Sequence, residues 1–281
     1  MAGFSVDWLD LREAADLRAR DVALLARAQQ WLDQSSSDQS GDRQQPMIAD
    51  LGSGTGSTLR AFAAGGIETS RYAWRLIDHD AELLSVASER YGDRHSLETR
   101  VADLAQPEHL SLSDINLLTA SALFDLVSAE FIESLVASIA SQPHPIAVYT
   151  ALNYDGITRW TPAHKLDMTV LQAFNQDQRR DKGFGPALGP HASACLTQVL
   201  TAAGYTVLSA SSPWLLRGNH GTAGDTQLMT ELIHGIANAV RSSIEHEELQ
   251  EWIDFRLANV HTGSCSVGHM DLLALPQRVS R

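Results

Sequence analysis

The sequence predicts an α/β protein of the doubly wound kind, with a parallel sheet covered by helices on both faces. A short apolar stretch, Met47–Leu51, runs directly into the glycine cluster Gly52-Ser53-Gly54-Thr55-Gly56 and then into a helical segment. From Met47 to about Gly156, short apolar runs alternate with amphipathic ones. Right-handed crossovers turn that alternation into parallel strands. After Gly156 the rhythm changes to longer helical segments separated by two late strands.

In chain order, Asp7–Gln34 reads as helical, with Val22, Leu25, Ala28 and Leu32 at near-helical spacing and Arg18, Arg20, Arg27 and Gln30 on other faces. Residues 1–34 are expected to form an N-terminal helical lid. Residues 35–46 are polar throughout and predict a surface loop. Strands are expected at Met47–Leu51, Trp74–Ile77, a very short one opening at Val101, Ile115–Ala120 and Ile146–Leu152. Helices are expected at Thr58–Ala64, Ala81–Arg90 and Glu130–Ala140. Beyond residue 156, Leu166–Arg179 reads as a helix, and three glycines and two prolines within Asp181–Pro190 mark a constrained loop. Ala192–Ala203 is a helix stopped by Gly204. Tyr205–Ser209 and Ser266–Leu275 are strands, and Thr226–Ser243 and Glu247–Asn259 are helices between them. Residues 47–281 are thus one domain, with insertions at 157–190 (cap) and 222–262 (helical).

Composition narrows the function. The 281 residues hold 34 Asp and Glu against 21 Lys and Arg, a formal charge of −13, which opposes capture of DNA or RNA. Cys195 and Cys265 cannot form a disulfide framework, so a reduced, cytoplasmic setting is the expectation. No apolar run reaches the length of a membrane span or a signal peptide. Eleven histidines show no His-x-x-x-His, His-Glu-x-x-His or Cys-rich spacing, and no metal is expected. Neither a Gly-x-Ser-x-Gly elbow nor a phosphate-binding Gly-Lys-Ser/Thr sequence is present.

The chemistry concentrates at strand ends. Glycines after Asp50 let the backbone turn sharply and approach a ligand, and the helix start that follows supplies free N–H groups. Asp50, two residues ahead of the glycines, would repel a pyrophosphate but suits an ammonium group. That acid and the Gly-x-Gly-x-Gly spacing oppose a nicotinamide dehydrogenase. Asp78 closes the second strand, where a carboxylate can accept from both hydroxyls of a ribose. Asp103 follows the third, placed to accept from an adenine amino group. Each acid alone reads equally as a helix cap or loop residue; their joint arrival after the glycine loop favours a nucleoside.

With Asp50-Leu-Gly-Ser-Gly-Thr-Gly56, Leu76-Ile-Asp78-His79-Asp80, Val101-Ala-Asp103-Leu104 and Asn116-Leu-Leu-Thr-Ala-Ser121, the chain resembles the class I S-adenosylmethionine-dependent methyltransferases. The resemblance implies a seven-stranded, mostly parallel sheet ending in an antiparallel hairpin, here Tyr205–Ser209 with Ser266–Leu275. It further implies S-adenosylmethionine as cofactor. Asp50, Gly52, Ser53, Gly54 and Gly56 would hold its methionine part, Asp78 with His79 the ribose, Asp103 with Leu104 the adenine, and Ser121 would lie beside the sulfonium. Helices within Trp8–Trp31 would close the site.

Methyl transfer requires a nucleophile in line behind an already activated methyl group, a demand that leaves little signature. On the acceptor side, Asp125 is placed to orient or deprotonate a substrate or else begins a helix. Asn153 and Asp155 leave the fifth strand where ligands bind in parallel sheets, or form an ordinary turn. Arg179, Arg180 and Lys182 beside Phe184 read as a lid for an anionic substrate or as a solvated turn. Trp160, Trp214 and Trp252 line a pocket or belong to the core. Arg12 and Arg18 reach a carboxylate or lie on a solvated face. The expected activity is methylation of a small molecule; the alternatives are a non-catalytic S-adenosylmethionine-binding module and an RNA or protein methyltransferase. No nucleic acid or membrane partner is expected. Oligomeric state is not readable, a homodimer being allowed for.

Overall fold

The computed structural model describes residues 4–35, 45–106, 110–219, 221–222 and 224–277. Two helices, α1 (Val6–Ala19) and α2 (Val22–Ser35), precede the first strand, β1 (Met47–Leu51). There follow α3 (Ser57–Ala64), β2 (Ala73–Asp78), α4 (Ala81–Tyr91), β3 (Ser96–Val101), β4 (Ile115–Ser121), α5 (Ala129–Ala140) and β5 (Ala147–Thr161). The second half contains α6 (Asp167–Asp177), α7 (Ala192–Ala202), β6 (Tyr205–Ser211), β7 (Trp214–Arg217), α8 (Asp225–Val240), α9 (His246–Asn259) and β8 (Ser264–Pro276).

The strands form one sheet in the order β3-β2-β1-β4-β5-β8-β6, with β7 paired to β8. β1 through β5 are parallel, and β8 runs antiparallel to β5, β6 and β7. The doubly wound sheet with its antiparallel C-terminal pair matches the expectation, with β7 as an added short strand. One face is covered by α5 and α7, the other by α2, α3 and α4. A third apolar cluster lies apart from these layers, where α1, α6, α8 and α9 pack on β7 and the outer ends of β5 and β8. No described helix is long and apolar enough to cross a membrane.

Local chemistry explains where elements end. Asp80 caps α4 by accepting from the amides of Glu82 (2.9 Å) and Leu83 (3.3 Å), and Ser128 caps α5 through the Phe131 amide (3.2 Å). Gly204 takes φ 86° just beyond α7, the left-handed stop anticipated there.

Three sequence expectations change. The N-terminal helix breaks at Arg20–Asp21, because Asp21 caps α2 through the Leu24 amide (2.8 Å) while its own amide donates to Asp271 (2.9 Å). Val101 closes β3 instead of opening it. Asn153–Gly156, read either as leaving the tip of the fifth strand or as an ordinary turn, lies inside β5, which continues to Thr161 through two register shifts against β8. Leu152 and Gly156 absorb these irregularities at φ 57° and 87°. The polar loop at 35–46 falls, between 36 and 44, outside the described residues.

Candidate functional site

Where β1 is flanked on one side by β2 and on the other by β4, strand order reverses, and a crevice opens beyond the carboxyl ends of the strands. The chain fills the mouth of that crevice only partly. A cleft of about 970 Å³, its open mouth included, is lined by Gly52, Ser53, Gly54, Thr55 and Ser57 from the β1–α3 connection. Asp78, His79 and Leu83 line it from the end of β2 and the start of α4, and Asp103 with Leu104 from the loop after β3. Ser121, Ala122, Leu123 and Leu126 follow β4. Phe4, Leu9, Arg12 and Asp16 close it from the α1 side, and Phe184 from the loop before α7.

The β1–α3 connection is held tightly. Gly52 and Gly54 adopt φ 60° and 52°, so a side chain at either would be strained. A Cβ on Gly54 would stand 3.1 Å from Leu9 of α1, so the missing side chain lets roof and floor approach. The Gly54 amide donates to Asp78 Oδ2 at 2.8 Å, and the Ser53 amide to the Ile77 carbonyl at 3.2 Å. Asp78 Oδ1 accepts from the Asp80 amide at 3.0 Å and lies 3.1 Å from His79 Nδ1. The Ser53 hydroxyl is buried with no hydrogen-bond partner among the described residues.

Beneath the floor lie charged groups that the cleft does not reach. Asp50 is 1% exposed; its Oδ1 accepts from Thr119 Oγ1 at 2.7 Å, and burial pushes its pKa up to about 6. Arg20, extended at the break between α1 and α2, is also buried and donates to Ser121 Oγ at 2.7 Å. Ser121 therefore faces the cleft while anchored from below.

On the other side, α1 turns an ionic face inward. Arg12 and Asp16 are only 9% and 5% exposed. Arg12 Nε donates to Asp16 Oδ2 at 2.9 Å, and Trp214 Nε1 donates to Asp16 Oδ1 at 2.9 Å. The Arg12 guanidinium lies over the Trp214 ring, 5.1 Å from its centroid. The outside of the helix is tied down by Asp10 to Arg90, Glu13 to Arg60 and Arg18 to Asp225.

No family model matches the sequence, and no curated protein matches it. Among solved structures, the cyclopropane synthase MmaA2 of Mycobacterium tuberculosis is similar over 96% of this chain and 94% of its own, at 12% identity and a TM-score of 0.51. Geranyl diphosphate C-methyltransferase of Streptomyces coelicolor, solved with S-adenosyl-L-homocysteine, covers 89% of this chain and 79% of its own at 12% identity and a TM-score of 0.45. The mycolic acid cyclopropane synthase CmaA1, solved with the same product, covers 90% and 83% at 10% identity and a TM-score of 0.49. The fold is that of the class I S-adenosylmethionine-dependent methyltransferases.

Of the residues nominated for a cofactor, Gly52, Ser53, Gly54, Asp78, His79, Asp103, Leu104 and Ser121 come together on the cleft. Asp50 and Gly56 do not line it; Gly56, at φ 87°, starts α3 and sits against Tyr91. The acceptor-side nominees are more scattered. Asp125 is buried and does not line the cleft, its Oδ1 without a hydrogen-bond partner among the described residues; burial raises its pKa to about 6 against the opposing pull of Arg12. Asn153 is fully buried, its amide donating to Thr150 Oγ1 (2.8 Å) and the Met270 carbonyl (3.2 Å). Asp155 accepts from the Ile157 amide at 2.9 Å, away from the cleft.

Asp177 pairs with both Arg180 and Lys182, so those two cations of the cap loop are engaged beside it, while Phe184 reaches the cleft and packs edge-on against Phe131. Trp160 and Trp252 belong to the third apolar cluster, where Arg256 lies against both rings and pairs with Asp167. The solvated-face reading fails for Arg12. Its spacing with Leu9 and Asp16, at i, i+3 and i+7, is the signal that one face of α1 carries all three.

Proposed function

We propose that the chain transfers a methyl group from S-adenosylmethionine to a small-molecule acceptor. One observation carries the reading: in a methyltransferase fold, the glycine loop and the acids after β2 and β3 converge on one cleft at the strand-order switch. The residues suit the cofactor. Asp78 holds its carboxylate at the rim with lone pairs left for ribose hydroxyls, and Asp103 with Leu104 offers an acceptor and an apolar wall for a base. The Ser53 hydroxyl, without a hydrogen-bond partner among the described residues, offers the methionyl tail a polar partner.

When bound, S-adenosylmethionine supplies an activated methyl group. The chain's contribution is placement and exclusion of water. Leu9, Leu123, Leu126 and Phe184 wall the cleft and favour an acceptor with an apolar body. Asp125, with its raised pKa, is the carboxylate suited to take a proton from an acceptor hydroxyl or ammonium near neutral pH. The charge of −13 favours a small acceptor over RNA.

Isothermal titration with S-adenosylhomocysteine tests the reading. Binding in the micromolar range is expected; folded protein that binds none at submillimolar ligand refutes it.

A further inference from the structure

We propose that Arg12 and Asp16 of α1 form a charge-matched clamp for the amino-acid end of the bound cofactor, Arg12 taking the carboxylate and Asp16 the ammonium. The assignment rests on the methyltransferase reading and moves the ammonium contact from Asp50, where the sequence put it, to the roof of the cleft. Asp50 does not line the cleft and already accepts from Thr119. Arg12 and Asp16 line it from above, opposite Gly52-Ser53-Gly54 and Ser121.

Their internal bonding is incomplete in the way a zwitterion would complete. Arg12 commits only Nε to Asp16, and no described residue accepts a hydrogen bond from its two Nη groups. Each Asp16 oxygen accepts one donor, Arg12 Nε or Trp214 Nε1, and keeps a further lone pair. A buried ion pair whose role is only to hold the fold is expected to satisfy its own donors, since unpaired ones there are costly. Trp214 fixes both members at once, by its indole N–H to Asp16 and its ring beneath Arg12. Asp125 also feels the Arg12 charge, but Arg12 is not hydrogen-bonded to it.

The decisive comparison uses two probes, S-adenosylhomocysteine and 5′-methylthioadenosine, which share the thioether nucleoside but differ in the amino-acid tail. In the unaltered protein the tail is expected to tighten binding at least ~10-fold. Arg12→Gln and Asp16→Asn should each weaken S-adenosylhomocysteine by ~10-fold or more while leaving 5′-methylthioadenosine within about twofold. An unchanged ratio of the two affinities in the variants overturns the clamp and leaves the methyltransferase reading standing. A parallel loss of both probes in folded variants also overturns it, since the pair would then shape the whole cleft. Absence of S-adenosylhomocysteine binding in the unaltered protein removes both proposals together. Should Arg12→Gln not fold, Arg12→Lys keeps the charge without the planar fork. It is expected to show a reduced ratio, and a normal one counts against the proposal.

Discussion

The floor of the cleft, at the carboxyl ends of β1 to β4, is made mostly of backbone: left-handed glycines, amides aimed at Asp78, and loops a few residues long. Its roof is made of side chains, Leu9, Arg12 and Asp16 from one helix, steadied by Trp214, about 200 residues away along the sequence. Floor residues come from four segments between Gly52 and Leu126 and converge because each segment follows a strand of the same sheet. Roof residues meet only after the third apolar cluster has packed.

If the cap owes its order to buried charges, the largest loss should follow removal of Arg256, which lies against Trp160, Trp252 and Phe255 and pairs with Asp167. Arg256→Met is expected to cost about 3–5 kcal/mol in urea unfolding, because Asp167 loses its cation; a loss under about 1 kcal/mol would show that the aromatic packing alone holds the cap.

Asp78→Ala bears on the floor. Losing the carboxylate frees the Gly54 amide and removes the ribose acceptor, so S-adenosylhomocysteine binding should weaken by about 2–3 kcal/mol, roughly 30- to 150-fold by titration. An unchanged affinity would place the ribose elsewhere.

Asp125 is buried and does not line the cleft, and burial raises its folded-state pKa from 3.8 to about 6. A carboxylate shifted upward stabilises the fold while protonated, below its unfolded pKa, and loses that contribution as pH rises through about 6. Asp125→Asn should therefore gain about 2 kcal/mol at pH 7.5 relative to pH 4, read from urea midpoints at the two pH values. Equal effects at both would mean that water reaches the carboxylate. If Asp125 is the base, the same variant also loses turnover while keeping S-adenosylhomocysteine affinity.

The smallest effect belongs to the outer edge of the roof. Asp10 and Arg90 join α1 to α4 across a largely solvated pair, so Arg90→Ala should cost less than about 1 kcal/mol and shift the thermal midpoint only slightly.

The floor was readable in the sequence because its chemistry is tied to spacing. A glycine cluster after a strand, and acids at the ends of the next two, need only the parallel order to converge. Asp50 stands in the same register, yet it does not line the cleft and is met by Thr119 of the neighbouring strand. The roof was legible only as helix. Leu9, Arg12 and Asp16 share one helical face by spacing, but the partner ring of Arg12, Trp214, arrives on a short strand that the sequence did not reveal. The length of β5 was hidden by Asn153–Gly156, whose turn-like composition serves irregular strand pairing instead.

One fully buried carboxylate on β8 has consequences for assembly. Asp271 accepts from the Asp21 amide, the Leu152 amide and the Ser212 hydroxyl, stitching together the helix break, β5 and the end of β6. β8 is the last of the described strands, yet it inserts between β5 and β6. A nascent chain still lacking residues 264–276 has β5 with an open edge and the Arg20–Asp21 elbow without its anchor. One side chain on β8 thus ties together segments that lie 119 and 250 residues away along the chain.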